Sequence, residues 1–144
     1  MDLGKKKILP DGWREAKPED LEILVHMEKS VFGNSAWTRY SVESHLAHHP
    51  SWIKENVGYL FYLDLKDSSE LLRIGILPEK RKMGEAEKIL KVLCDLFPKT
   101  ILEVSNLNPP ALSLYNKIGF SESGRRKSYY GPGEDAVLMK KNSD

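Results

Sequence analysis

Leu77-Pro78-Glu79-Lys80-Arg81-Lys82-Met83-Gly84-Glu85-Ala86 joins two patterned segments of the chain. Before it, residues 70–77 form an apolar run that reads as a strand; after it, residues 84–97 place Ala86, Ile89, Leu90, Leu93, Leu96 and Phe97 on one helical face. A strand therefore ends, a basic loop follows, and a helix opens at a glycine. The first N–H groups of a helix have no internal acceptor and sit at the positive end of its dipole, which makes an anion site. Gly84 and Ala86 are small enough for a phosphate to approach the backbone, and Lys80, Arg81 and Lys82 add charge. By itself the segment is equally well read as an ordinary strand-to-helix loop with surface lysines. Neither G-x-x-x-x-G-K-[ST] nor G-x-G-x-x-G occurs, so triphosphatase and dinucleotide folds have no support.

Working outward, residues 57–65 and 70–77 read as a hairpin around the turn cluster 66–69. Upstream, residues 13–16 read as a short first strand. Pro18 then opens a helix whose stripe runs Leu21, Leu24, Val25, Glu28, Val31 and Phe32, with Glu28 as its one polar break. A second short helix spans residues 42–49 and stops at Pro50; residues 51–54 form at most a strand stub. Downstream come a strand over 100–105, a helix over 109–117 closed by Gly119, and closing strands over 120–130 and 136–140 around Gly131-Pro132-Gly133. The order β-α-α-β-β-β-α-β-α-β-β is that of an α+β sheet domain. Residues 1–10 read as a basic arm and residues 141–144 as a polar tail, both flexible.

The 144 residues match one domain at about 150 residues each. With 22 Lys+Arg against 21 Asp+Glu, the net charge of +1 lacks the basic field of general nucleic-acid binding. The single Cys94 excludes an internal disulfide and Cys-rich zinc modules, and fits a reducing cytoplasm; on the apolar helix face it reads as core. No apolar run reaches the roughly 18 residues of a membrane span. His45, His48 and His49 lie close on one helix, but no third ligand accompanies them; they read as a solvated face, and no metal is expected.

Pro78-x-x-Arg81-x-x-Gly84-x-Ala86 after a strand resembles the acyl-CoA pyrophosphate loop of the GNAT N-acetyltransferases. Glu103-Val104, Asn108 and Ala111-Leu112-x-Leu114-Tyr115-x-x-Ile118-Gly119-Phe120 resemble the second half of that fold's signature. Arg125-Arg126-Lys127-Ser128-Tyr129-Tyr130, then Glu134-Asp135-Ala136 and Met139, are similar to the end of the RimI branch, the ribosomal-protein-alanine N-acetyltransferases. Trp37-Thr38 resembles part of that branch's substrate loop. The match runs from about residue 13 to 139.

The resemblance implies a GNAT fold, a mixed and mostly antiparallel twisted sheet flanked by helices, and acetyl-CoA as co-substrate. It implies Glu103 as base and Tyr115 as acid. Ile74, Gly75, Ile76, Arg81, Lys82, Met83, Gly84, Glu85, Ala86, Glu87 and Asn108 are implied to bind the cofactor, and Trp37, Tyr129 and Tyr130 the substrate. Each has a plainer reading: Glu103 as a solvent-facing strand residue, Tyr115 as a core aromatic, Asn108 as a helix cap, Gly75 as a bulge, the tyrosines as edge-strand aromatics. The implied partner is the N-terminal peptide of a ribosomal protein, with neither nucleic acid nor membrane, in a monomer or weak dimer. Two other readings stay open: acetylation of a lysine or small amine, and a non-catalytic CoA-binding module, motivated by Glu85 and Glu87 in the pyrophosphate loop.

Overall fold

The computed structural model describes residues 8–144; most of the expected basic arm lies outside the described residues. The chain runs β1 (Arg14–Glu15), α1 (Leu21–Phe32), α2 (Arg39–His48), β2 (Ser51–Lys54), β3 (Gly58–Asp64), β4 (Ser69–Ile76), α3 (Glu85–Leu96), β5 (Lys99–Ser105), α4 (Pro109–Ile118), β6 (Ser121–Gly131) and β7 (Glu134–Asn142). Among the described residues these strands form one sheet in the order β1-β2-β3-β4-β5-β7-β6, with every neighbouring pair antiparallel except β4 and β5.

Alternation along the strands gives the sheet two apolar faces. Leu60, Leu71, Leu102 and Val104 pack with Ile89, Leu90, Leu93, Tyr115 and Ile118 of α3 and α4. Tyr59 and Phe61 point the other way, onto Leu24, Met27 and Val42 of α1 and α2. Cys94 is buried in the first of these clusters, as its helix face predicts.

Pro18 begins a 3-10 turn, Pro18–Asp20, and α1 follows from Leu21. The buried Asp20 accepts two hydrogen bonds from the Arg14 guanidinium at 2.9 and 2.8 Å and one from Lys17 N, which pins β1 to the start of α1. α2 starts at Arg39, earlier than its sequence pattern indicates, because the Thr38 hydroxyl caps it by accepting from Ser41 N at 3.1 Å.

Three expectations are corrected. Residues 51–54 are a full strand, with Trp52 and Ile53 wholly buried between β1 and β3. Lys141 and Asn142 belong to β7, opposite Thr100 and Lys99, because β5 needs a partner of its own length. His45 is buried: its Nε2 donates to the Pro50 carbonyl at 2.9 Å, and its ring lies against Phe61 and Trp37.

β4 and β5 pair only at Ser69↔Thr100 and Glu70↔Ile101, where the two buried hydroxyls hydrogen-bond at 2.9 Å. Past that point β4 keeps pairing with β3 as far as Ile76, and β5 with β7 as far as Ser105. A gap opens through the sheet between them.

Candidate active site

The gap is the floor of a cleft of about 1120 Å³ walled by β4, β5, the loop before α3, and α4. Its two ends differ chemically because neighbouring β5 residues face opposite sides. Leu102 and Val104 face α3 and α4; Glu103, between them, faces the α1 side.

Glu103 lines the cleft, and its Oε2 accepts a hydrogen bond from the Tyr130 hydroxyl at 2.8 Å; Arg126 Nε lies 3.9 Å from Oε1. Burial, then the Glu103 contact, pushes the Tyr130 phenol up to about 12. Tyr115 lines the cleft from α4, its ring buried and set edge-on to Phe120. Burial raises its phenol to about 12, and no protein group among the described residues hydrogen-bonds the hydroxyl. It is therefore a protonated donor at neutral pH, facing the cavity.

At the other end, the loop before α3 turns through two left-handed residues, Lys82 (φ +66°) and Gly84 (φ +79°). At Gly84 the glycine removes the left-handed penalty, and the space where a Cβ would stand is open. Lys80, Arg81, Lys82, Gly84 and Ala86 line the cleft. Arg81 Nε also donates to the Ile76 carbonyl at 3.0 Å, clamping the loop to the end of β4. Glu85 donates no free charge to this site: it accepts from Lys54 Nζ at 2.6 Å and Trp13 Nε1 at 3.2 Å, and Lys54 holds its carboxyl below the usual range. Glu87 is paired with Lys91 and Lys117 at 2.9 Å each. Both acids thus have cationic partners within the protein.

Asn108 caps α4, its Oδ1 accepting from Ala111 N at 3.3 Å, and it also lines the cleft. Ile74 and Ile76 line it as well. Gly75 is not among the lining residues; a Cβ there would stand 2.6 Å from the Tyr59 ring and hydroxyl, so the glycine makes room for Tyr59. Met83 is exposed outside the cleft. Trp37 and Tyr129 are not in its wall either. The Trp37 ring packs on Phe61 and His45, and Tyr129 stands exposed, edge-on to Tyr130 with Arg126 over its ring.

Sequence reasoning missed the group under the α1 side. Glu28 is wholly buried and accepts from the Tyr59 hydroxyl, from Trp37 N at 2.7 Å, and from Arg73 through Nε at 3.0 Å and Nη2 at 2.8 Å. The polar break in the α1 stripe was the signal.

No protein-family model matches the chain. A Bacillus subtilis (strain 168) protein, provisionally named a ribosomal protein bS18-alanine N-acetyltransferase, is 32% identical over 139 residues, covering 88% of this chain and 91% of its own. The chain belongs to the RimI-type N-acetyltransferases. Another similar member of the family, the Mycobacterium tuberculosis N-alpha-acetyltransferase RimI, is 35% identical over 77 residues, covering 51% of this chain and 49% of its own. Among solved structures, the Escherichia coli ribosomal-protein-S18-alanine N-acetyltransferase superposes with a TM-score of 0.81 at 22% identity, over 92% of this chain and 93% of that one. Arabidopsis thaliana NAA60 in complex with acetyl-CoA gives a TM-score of 0.78 at 18% identity, over 90% and 98%. These superpositions show that the chain has the GNAT fold.

Proposed function

We propose that this RimI-type enzyme transfers acetyl from acetyl-CoA to the α-amino group of a protein N-terminus, with Glu103 as base and Tyr115 as proton donor. The observation that carries this reading is their placement: Glu103 and Tyr115 line one cleft but belong to opposite faces of the sheet, across the gap between β4 and β5. A donor from the α3–α4 face and an acceptor from the α1 face would meet there.

The residues present suit acetyl-CoA. A long cleft ends at a left-handed glycine cradle and a helix N-terminus flanked by Lys80, Arg81 and Lys82, where a pyrophosphate would be held. The edge of β4 from Leu71 to Ile76, unpaired by β5, offers backbone groups to an extended amide-bearing arm. When bound, acetyl-CoA supplies an activated acyl group with a thiolate leaving group. An α-amine, with a pKa near 8, is mostly protonated at pH 7 but keeps a neutral fraction of about a tenth; from that neutral amine Glu103 accepts the one proton released as the C–N bond forms, directly or through water. Tyr115 offers its phenolic hydrogen to the departing sulfur; the burial that raises the phenol also raises the basicity of a thiolate beside it.

For the acceptor we infer the N-terminal alanine of a small-subunit ribosomal protein, supported by the name of the Bacillus subtilis relative. Incubation with acetyl-CoA and peptides starting in Ala, read by mass spectrometry, tests it. Label on the N-terminal amine is the expected result; acetylation confined to lysine side chains or polyamines would assign a different acceptor.

A further inference from the structure

The guanidinium of Arg73 is held more completely than its position in a cleft wall requires. Nε and Nη2 grip the buried Glu28 carboxylate, Nη2 also donates to the Ser35 carbonyl at 2.8 Å, and the plane stacks on the Phe32 ring at 3.6 Å. These contacts use the Nε hydrogen and both hydrogens of Nη2. Nη1 keeps two donors with no protein acceptor among the described residues, and it is not sealed from solvent. Arg73 lies on the α1 face of the sheet, opposite Phe61, and lines the same cleft as Glu103 and Tyr130. Glu28 already balances its charge, so the site needs no anion. What it lacks is a neutral oxygen to accept two well-oriented hydrogens.

We propose that Arg73 is a specificity-determining residue that donates from Nη1 to the first main-chain carbonyl of the acceptor. This deepens, and rests on, the α-amine reading above. An α-amine carries a carbonyl oxygen two bonds beyond its own carbon, whereas a lysine ε-amine or a polyamine has only methylenes there. A rigid donor in the cleft that also holds Glu103 therefore selects a peptide N-terminus over other amines, whichever first side chain it carries. Glu28, Phe32 and the Ser35 carbonyl act as positioning groups, since each holds the guanidinium in place.

The test crosses a change in the substrate with a change in the enzyme. An Ala-starting peptide is compared with its analogue whose first peptide bond is an (E)-alkene, which keeps the shape and removes the carbonyl. With wild type, the alkene analogue raises KM about tenfold or more, as expected for a lost hydrogen bond to a charged donor, with a smaller effect on kcat. Arg73→Lys keeps a cation for Glu28 but loses the fork; with it, the two acceptors differ in KM by no more than about twofold. The double variant Glu28→Gln/Arg73→Gln removes both charges together and gives the same convergence if the lysine variant does not fold. An unchanged KM ratio in a folded variant, or no discrimination by wild type, overturns the proposal. Failure of wild type to acetylate either peptide while acetylating a lysine or a polyamine overturns the α-amine reading instead, and this inference with it.

Discussion

Tyr115 has two features that rarely coincide in a packing residue: a buried ring and, among the described residues, no protein partner for its hydroxyl in the cleft wall. If it protonates the leaving sulfur, Tyr115→Phe lowers kcat by about a hundredfold or more while the KM for acetyl-CoA stays within about twofold. Equal losses in both would mark the phenol as a binding group. Steady-state kinetics separate the two. Glu28 makes the opposite kind of prediction. It is a fully buried carboxylate with four hydrogen-bonded donor groups, so Glu28→Ala strands the Arg73 cation and costs about 3–5 kcal/mol of stability. Calorimetry should show Tm falling by roughly 10 °C. At this scale the sequence made Glu103, Tyr115 and Asn108 legible because their neighbours form an ordered motif. Arg73 and Tyr59 were not legible: nothing local says that residues 45 and 31 positions from Glu28 converge on it.

The elements around the pyrophosphate loop form a second coupled unit. Lys54 at the end of β2 and Trp13 before β1 both reach Glu85 at the first position of α3, so the hairpin side of the sheet neutralises an acid beside the proposed anion site. Lys54→Met leaves that carboxylate uncompensated. The dissociation constant for CoA then rises about three- to tenfold, and more at low salt than at high, by isothermal titration. A CoA affinity unchanged at every ionic strength would show that Glu85 does not feel the bound phosphates. Strands and helices were well foreshadowed by period and punctuation, and the errors have local causes. The 51–54 segment carries only four residues, too few for a clear alternation, yet Trp52 is buried under one face of the sheet and Ile53 under the other. The last strand overran its apolar stretch because pairing with β5, not hydrophobicity, sets its length.

Across the whole molecule, stability should carry a pH signature from the α2–β2 junction. Burial lowers the His45 imidazole below its ordinary 6.5. Between 6.5 and that lower value the unfolded chain binds the proton that the folded chain resists, so stability is full above 6.5 and falls as pH drops. The Asp20 carboxyl, held low chiefly by Arg14, contributes only further down, below its ordinary 3.8. Tm is therefore expected to fall between pH 7 and 5 in the wild type, and to be flatter in His45→Gln; parallel profiles would assign the slope to other groups. The net charge of +1 also acquires a local meaning. Arg73 and Lys54 each stand on one carboxylate, Glu28 and Glu85, while Lys80, Arg81 and Lys82 cluster along one loop of the cleft. In the proposed reaction the gap between β4 and β5 brings an acetyl donor from one face to an α-amine from the other. This is tested most directly by mass spectrometry of a peptide that starts in Ala and also contains lysine, after reaction with acetyl-CoA. The account predicts acetyl on the N-terminal amine alone, lost with Glu103→Gln; label on the lysine, or undiminished N-terminal label with that variant, would contradict it.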